Sequence, residues 1–202
     1  MSEVERAAEA ALGGSLVVLP TDTVYGIGTR PDDPAATARL FEAKQRPRHL
    51  ELPVLVPRLE LAEQVGEMEE AALRLAEAFW PGALTVVVRR SADASGWALG
   101  EDPDTVGLRV PAHPVALALL EHTGPLAVTS ANRSGEPTPA TCEEVREVFG
   151  DDVAVYLCDE APLSGASSTV VDLAHGEPRV LRWGAVDGNA LRAVLADLTF
   201  DQ

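Results

Sequence analysis

The sequence predicts an α/β fold built on a mixed β-sheet. Short apolar runs rich in β-branched residues alternate with segments whose apolar residues recur at helical spacing, as in layered helix-and-strand proteins. The alternation is imperfect, because strand candidates follow one another directly at 84–88 and 106–110 and again between 153 and 182. Adjacent strands without a helix between them favour antiparallel pairs, so we expect a mixed rather than a purely parallel sheet.

Local signals place the individual elements. Gly13 and Gly14 end a first helix, and Pro20 ends the strand that follows it. Asp33 before a proline is a typical N-cap for the second helix, which ends near Lys44. The predicted helices are 4–12, 34–44, 69–79, 114–121, 143–149 and 189–198. The predicted strands are 16–19, 54–56, 84–88, 106–110, 126–129, 153–157, 169–173 and 180–181. Small and polar residues over 91–104 predict a mobile loop.

Composition limits the classes of function. A chain of 202 residues with 46% hydrophobic residues is long enough for a substantial core, and we expect a single domain over residues 1–202. It has no apolar run of about 18 residues and no signal-peptide pattern, which predicts a cytoplasmic protein without membrane contact. A formal charge of −16 argues against non-specific nucleic-acid binding.

Cysteine and histidine do not form a recognisable metal pattern. Cys142 and Cys158 are two isolated cysteines, and we expect both to be ordinary thiols. The four histidines are scattered singly along the chain. We therefore expect no metal ion held by the protein alone.

Lys44 is the single lysine among sixteen cationic residues, and it opens the segment Lys44-Gln45-Arg46-Pro47-Arg48. Cations at the end of a helix offset the helix dipole by about 0.3–1 kcal/mol, which is the ordinary interpretation. Pro47 favours another, because it ends the helix and stiffens the residues after it. A lysine point charge beside a planar arginine suits a polyphosphate.

Other polar segments lie at predicted strand ends, where α/β proteins place their sites. They are PTDTVYGIG at 20–28, TSANRSG at 129–135 and SGASSTVVD at 164–172, with LRWGA following at 181–185. Within TVGLRVP at 105–111, Arg109 lies in a buried strand and requires an anionic partner. No catalytic triad, close carboxylate pair or dinucleotide motif is present. Each segment alone is equally typical of a turn, and together they predict an anion pocket.

Taken in order, the segments PTDTVYGIG, AKQRP, FWPGALTVV, TVGLRVP, TSANRSG, SSTVVDL and LRWGA resemble the YrdC/Sua5 family of threonylcarbamoyl-AMP synthases. The resemblance extends from Leu16 to Ala185. It implies a twisted open sheet, flanked by helices, around a concave basic cavity, in the short stand-alone form of the family. It also implies synthesis of L-threonylcarbamoyladenylate and pyrophosphate from L-threonine, bicarbonate and ATP for the t6A modification of tRNA. Mg²⁺ would arrive with ATP, and other t6A pathway proteins and a weak tRNA contact would be the partners.

The resemblance also implies roles for nine residues. The catalytic residues would be Lys44 and Arg46, at the ATP phosphates. The residues expected to bind ATP are Lys44, Arg46, Thr105, Asn132 and Arg182, and those expected to bind threonine are Thr23, Arg109, Ser130 and Ser168. Charge stabilisation and positioning would suffice for the chemistry, so no side-chain nucleophile is needed.

Two positions depart from the family pattern. Glu51 stands where the family often has proline, so it either points to solvent or weakens the phosphate site. Leu55 stands where some longer members have a histidine near threonine, and that contact is not carried over. Two alternative functions are an RNA-binding or ribosome-associated module and an enzyme that uses the same adenylate chemistry on another acceptor.

Overall fold

The computed structural model describes residues 1–163 and 165–196, which contain seven α-helices and nine strands. The helices are α1 (Glu3–Leu12), α2 (Pro34–Lys44), α3 (Leu59–Val65), α4 (Glu70–Phe79), α5 (Pro114–Thr123), α6 (Cys142–Phe149) and α7 (Gly188–Val194). The strands are β1 (Leu16–Leu19), β2 (Gly26–Thr29), β3 (Val54–Leu55), β4 (Leu84–Arg89), β5 (Thr105–Arg109), β6 (Leu126–Ser130), β7 (Val153–Tyr156), β8 (Thr169–Asp172) and β9 (Arg179–Arg182).

All nine strands belong to one sheet, in the order β7-β1-β2-β6-β3-β5-β4-β8-β9. Five neighbouring pairs are antiparallel: β1–β2, β2–β6, β3–β6, β4–β5 and β8–β9. Three pairs, β1–β7, β3–β5 and β4–β8, are parallel. The predicted α/β class and mixed sheet are therefore confirmed.

Helices cover both faces of the sheet. Alternate residues of β1 enter different apolar clusters, with Val17 in one and Val18 in the other, because successive side chains of a strand point to opposite faces. The smaller cluster packs α1 and α5 against β1 and β6, and the larger one gathers residues from α2, α3, α4, α6 and α7. This two-sided burial holds the strand ends, and the loops that leave them, in fixed positions.

Most predicted elements agree with the structure to within a few residues, but β2 and α3 were not predicted. β2 has the sequence Gly-Ile-Gly-Thr, and glycine is uncommon in strands. The structure shows why Gly28 is needed: a Cβ there would lie 2.5 Å from the main-chain oxygen of Ala127 on β6. α3 has seven residues and no side-chain cap at Arg58, so its sequence carries little helix signal. Residues 197–198 of the last predicted helix lie outside the described residues.

The two cysteines form a disulfide, so the expectation of two ordinary thiols is wrong. The Cα atoms of Cys142 and Cys158 are 5.5 Å apart, within the range that a disulfide spans. The fifteen residues between them contain the rest of α6 and all of β7, and this return of the chain brings the start of the helix beside the end of the strand. Isolation in the sequence therefore did not mean separation in space.

Segment 91–104, predicted as a mobile loop, is tied to the body of the protein. It begins with a 3₁₀ turn at Ala92–Ala94, and Ala94 and Leu99 are buried. The guanidinium of Arg90 donates to the main-chain oxygens of Trp97 and Asp102, at 2.6 and 2.7 Å. Among the helices of residues 1–163 and 165–196, none has the length and apolar character needed to cross a membrane.

Replacing Gly28 tests the close approach of β2 and β6. We expect Gly28→Ala to lower the free energy of unfolding by about 2–3 kcal/mol, because its Cβ would overlap a main-chain atom of the neighbouring strand. Gly96→Ala is the matched control, since a Cβ at exposed Gly96 meets no atom within 4 Å. Urea unfolding of both variants checks the prediction, and equal stability of the two would contradict it.

Candidate active site

Most of the predicted site residues lie on loops and element ends that the sheet brings together. Thr23 lies in the loop between β1 and β2, and Lys44 is the last residue of α2. Arg109, Ser130 and Arg182 are the last residues of β5, β6 and β9. Hydrogen bonds join most of the candidates into three groups, which lie around Lys44, Arg109 and Arg182.

Arg109 is buried, and each of the three nitrogens of its guanidinium group donates a hydrogen bond. Its guanidinium contacts the carboxylate of Asp22 at 2.7 Å, donates to the hydroxyl of Thr23 at 3.1 Å, and donates to the main-chain oxygen of Gly82 at 2.8 Å. Burial lowers the pKa of Arg109, whereas Asp22 raises it. The predicted anionic partner of this buried arginine is therefore confirmed, and it is Asp22.

Asp22 also fixes the loop that follows β5. Its carboxylate accepts a hydrogen bond from the main-chain N–H of Ala112 at 2.9 Å. Within its own loop, the hydroxyl of Thr21 accepts the N–H groups of Thr23 and Val24, which folds the turn locally. One carboxylate thus holds the β1–β2 loop against the end of β5.

Lys44 points inward and is 1% exposed. Its ammonium donates to the main-chain oxygens of Ser130 and Asn132, the latter at 2.5 Å, and to the Asn132 side-chain oxygen at 3.3 Å. The hydroxyl of Ser130 donates to the same side-chain oxygen at 2.6 Å. Burial lowers the pKa of Lys44 to about 7, and nearby Arg46 contributes to the shift. Lys44 therefore organises the loop after β6 in addition to charging the site.

Arg46 is the second residue after the end of α2 and follows a turn of the chain at Gln45. Gln45 adopts a left-handed conformation with φ of 51° and ends α2. The guanidinium of Arg46 then donates to the main-chain oxygens of Leu50 and Glu51, at 2.8 and 2.9 Å. Arg48, the third cation of this segment, instead stacks over the ring of Phe41 at 4.8 Å.

The third contact lies at the end of β9. The guanidinium of Arg182 donates to the main-chain oxygen of Ser168 from two nitrogens, at 2.8 and 3.1 Å, and to its hydroxyl at 3.0 Å. That hydroxyl also lies 2.9 Å from the hydroxyl of Thr85 on β4. Ser168 precedes β8, so antiparallel pairing of β8 with β9 and parallel pairing with β4 bring these three side chains together.

Four cations interact electrostatically across these contacts. Arg46 lowers the pKa of Lys44. Burial and Arg182 both lower the pKa of Arg46, and the pKa of Arg109 is lowered by the same two causes. The carboxylates that oppose these shifts are Glu51 at Arg46 and Asp22 at Arg109. A protein of charge −16 thus concentrates mutually repelling cations at one place, which a polyanion would stabilise.

Thr105 lies apart from these contacts. Its hydroxyl donates to the carboxylate of Asp102, and its main-chain oxygen accepts a hydrogen bond from Arg90 at 2.7 Å. In the described part of the chain, no hydrogen bond joins Thr105 directly to another candidate residue. Leu55 is buried in the smaller apolar cluster.

Three residues that hold candidate site residues in place were not predicted from the sequence, namely Asp22, Thr85 and Arg90. Asp22 lies inside a quoted motif, and the requirement of Arg109 for an anion was the signal that could have identified it. Thr85 belongs to an apolar strand, and Arg90 follows that strand. The sequence around these two residues therefore gives no sign of their contacts. Their roles depend on strand pairing and loop contacts that a single sequence does not encode locally.

Comparisons with known proteins identify the family of this chain. The Sua5/YciO/YrdC family model, described as "Telomere recombination", matches residues 9–184. A protein of Mycobacterium tuberculosis strain H37Rv is 48% identical over 187 residues, which cover 92% of this chain and 86% of that protein. The threonylcarbamoyl-AMP synthase of Vibrio campbellii is 32% identical over 188 residues, covering 91% of this chain and all of that protein.

A solved structure supports the same relationship. Pyrococcus abyssi Sua5 complexed with L-threonine superposes with a TM-score of 0.89 and 35% identity. The superposition covers 100% of this chain and 60% of that one, so the present chain spans about three-fifths of the archaeal protein. The chain belongs to the Sua5/YciO/YrdC family.

Proposed function

We propose that this protein is a threonylcarbamoyl-AMP synthase that makes L-threonylcarbamoyladenylate and pyrophosphate from L-threonine, bicarbonate and ATP. The observation that carries the proposal is the convergence of four cations from separate segments beside the hydroxyl groups of Thr23 and Ser168. Relatives that carry this synthase name, and a family structure with bound L-threonine, support it.

The ATP phosphates belong beside Lys44, Arg46 and Arg182 in this proposal. These cations donate mostly to main-chain oxygens, which orient them without cancelling their positive charge. Arg182 would contact the nucleotide from β9, and Asn132 would contribute from the loop that Lys44 organises. Thr105 would meet the nucleotide from the start of β5.

Threonine belongs beside the Arg109–Asp22 pair. Arg109 would hold the threonine carboxylate, and Thr23, Ser130 and Ser168 offer hydroxyl groups for its polar atoms. The pair is close to neutral, which suits a zwitterionic amino acid better than a polyphosphate. The site thus separates a region of net positive charge from a balanced one.

The reaction then depends on positioning. The threonine amine and bicarbonate form a carbamate with loss of water, and a carbamate oxygen attacks the α-phosphorus while the bond to the β-phosphate breaks and pyrophosphate leaves. Arg46, Lys44 and Arg182 offset the charge that develops on the phosphates. No side-chain nucleophile is needed for this sequence of bonds.

Mg²⁺ enters the proposal as part of the nucleotide substrate. In residues 1–163 and 165–196, no three His, Cys, Asp or Glu side chains are grouped to hold a metal ion. Phosphate oxygens are suitable ligands for Mg²⁺, which usually binds with few protein ligands. Bound there, the ion would neutralise phosphate charge together with the arginines.

The product would serve the t6A modification of tRNA, with other proteins of that pathway as partners and a weak tRNA contact at most. A module that binds RNA alone would not require the balanced Arg109–Asp22 pair. An enzyme with another acceptor would retain the cation cluster and differ in its choice of amino acid, which a substrate test resolves.

Pyrophosphate release should depend on threonine. We expect release from ATP in the presence of Mg²⁺, bicarbonate and L-threonine, and a loss of at least about tenfold when threonine is omitted, because the carbamate is the attacking group. A coupled pyrophosphate assay measures this, with serine and glycine as competing acceptors. Equal release without any amino acid would remove the proposed function.

ATP affinity should fall as the pH rises above about 7. The free protein holds Lys44 at a pKa of about 7, and phosphate binding favours its charged form, so binding at higher pH requires uptake of a proton. The dissociation constant of ATP should therefore rise between pH 7 and pH 8.5 by up to about tenfold per unit.

Lys44→Gln is the control for this titration, because glutamine carries no ionisable proton. Its ATP affinity should be lower at pH 7 and change little with pH over the same range. Isothermal titration calorimetry in two buffers of different ionisation enthalpy would measure proton uptake directly. Identical pH profiles for the two proteins would show that another group titrates. Loss of the carbonyl contacts should also lower the stability of this variant, which urea unfolding monitors separately.

A further inference from the structure

Glu51 is a half-buried carboxylate whose position the ATP site does not explain. It follows Arg46 in the segment 44–51, here called the phosphate arm. Its Oε1 accepts hydrogen bonds from the main-chain N–H groups of Glu101 and Asp102, both at 2.9 Å. Its Oε2 is buried without a hydrogen bond to any described residue. Of the two alternatives for Glu51, the one in which its side chain points to solvent is therefore wrong.

One side of Glu51 contacts Arg46. The main-chain oxygen of Glu51 accepts a hydrogen bond from the Arg46 guanidinium at 2.9 Å. The Glu51 carboxylate also raises the pKa of Arg46, against the larger effect of burial and the effect of Arg182. The main-chain oxygen of Glu51 thus holds the Arg46 guanidinium by a hydrogen bond, and the Glu51 carboxylate attracts it by opposite charge.

The other side of Glu51 contacts the segment that precedes Thr105. Asp102, whose N–H Glu51 binds, accepts the hydroxyl hydrogen of Thr105 through its carboxylate. Arg90 clamps the same segment through the main-chain oxygens of Asp102 and Thr105, both at 2.7 Å. A continuous path of hydrogen bonds therefore joins Arg46, Glu51, Asp102 and Thr105.

Gly100 provides the space for this contact. A Cβ built there would lie 2.0 Å from Oε2 of Glu51 and 2.3 Å from its carboxyl carbon. Its φ lies outside the left-handed region, so the backbone itself accepts alanine. The absence of a side chain at Gly100 is thus required by the position of the Glu51 carboxylate.

We propose that Glu51 is a positioning residue, which fastens the phosphate arm to segment 100–105 and so aligns Arg46 with Thr105 for ATP. The alignment rests on the function proposed above. The carboxylate acts mainly through its hydrogen bonds to the main-chain N–H groups of Glu101 and Asp102. The negative charge of Glu51 is thereby stabilised by main-chain N–H groups of the protein.

The opposite expectation is that Glu51 weakens phosphate binding by simple repulsion. The two views differ in sign. If repulsion dominates, any removal of the carboxylate lowers the KM for ATP. If fastening dominates, removing the side chain raises that KM, whereas glutamine, which retains an oxygen acceptor in place of Oε1, preserves it.

The experiment compares Glu51→Ala, Glu51→Gln and Gly100→Ala in steady-state kinetics. We expect alanine at either position to raise the KM for ATP about tenfold while the KM for threonine stays within about twofold, since a displaced arginine affects the phosphates first. Glu51→Gln should stay at or below about twice the wild-type KM for ATP. The double variant should match Glu51→Ala, because the three atoms nearest to a Cβ at position 100 all belong to the Glu51 carboxyl group, which that variant lacks.

Glu63→Ala, an exposed charge removal on α3, is the control and should leave both KM values unchanged. Hydrogen exchange at the amides of Glu101 and Asp102 gives a readout that does not require activity. It should accelerate in Glu51→Ala and remain near wild type in Glu51→Gln. If wild type lacks threonine-dependent pyrophosphate release, the proposed function fails, while the exchange result still tests the fastening. If wild type is active and Glu51→Ala lowers or retains the KM for ATP, the positioning role is overturned.

Discussion

Withdrawal of the positive charges of Lys44, Arg46, Arg109 and Arg182 from water is the constraint on which the arrangement of the site depends. Each of these groups is wholly or partly withdrawn from water, and burial lowers the pKa of every one. Such an arrangement persists only if the surrounding structure over-determines it. The core supplies rigidity at Arg109, because β5 contributes buried residues to it, whereas Arg182 on the edge strand β9 is held by pairing with β8 and by its hydrogen bonds to Ser168.

The hydrogen-bond partner of each cation determines whether its positive charge stays available to bind an anion. Lys44, Arg46 and Arg182 donate chiefly to main-chain oxygens, which satisfy their N–H groups and leave their net charge intact. Arg109 instead pairs with Asp22 and is largely balanced. A phosphate-binding region and an amino-acid-binding region can therefore adjoin in one site, although the chain as a whole carries a charge of −16.

Much of this organisation was predictable from the sequence, and the exceptions have physical causes. Helix periodicity and caps predicted α2 from Pro34 to about Lys44, as observed, and the order of motifs identified the segments that meet. β2 was missed because its glycines satisfy a contact with β6, which belongs to another part of the chain. The disulfide, Asp22 and the burial of Glu51 were missed for the same kind of reason, since each depends on elements remote in sequence. Local patterns encode local structure, and the partners of buried charges are seldom local.

The single lysine now has a structural reason. Three oxygens, one from Ser130 at the end of β6 and two from Asn132, surround the ammonium of Lys44, and an ammonium has three N–H donors that point in three directions. The planar guanidinium of arginine is larger and presents its donors in one plane, so it does not fit such a cap at a position that is 1% exposed. Lysine also loses its proton near neutral pH when buried, which arginine does not. In a chain that otherwise uses arginine for every cation, this position requires a compact group whose charge responds to an arriving phosphate.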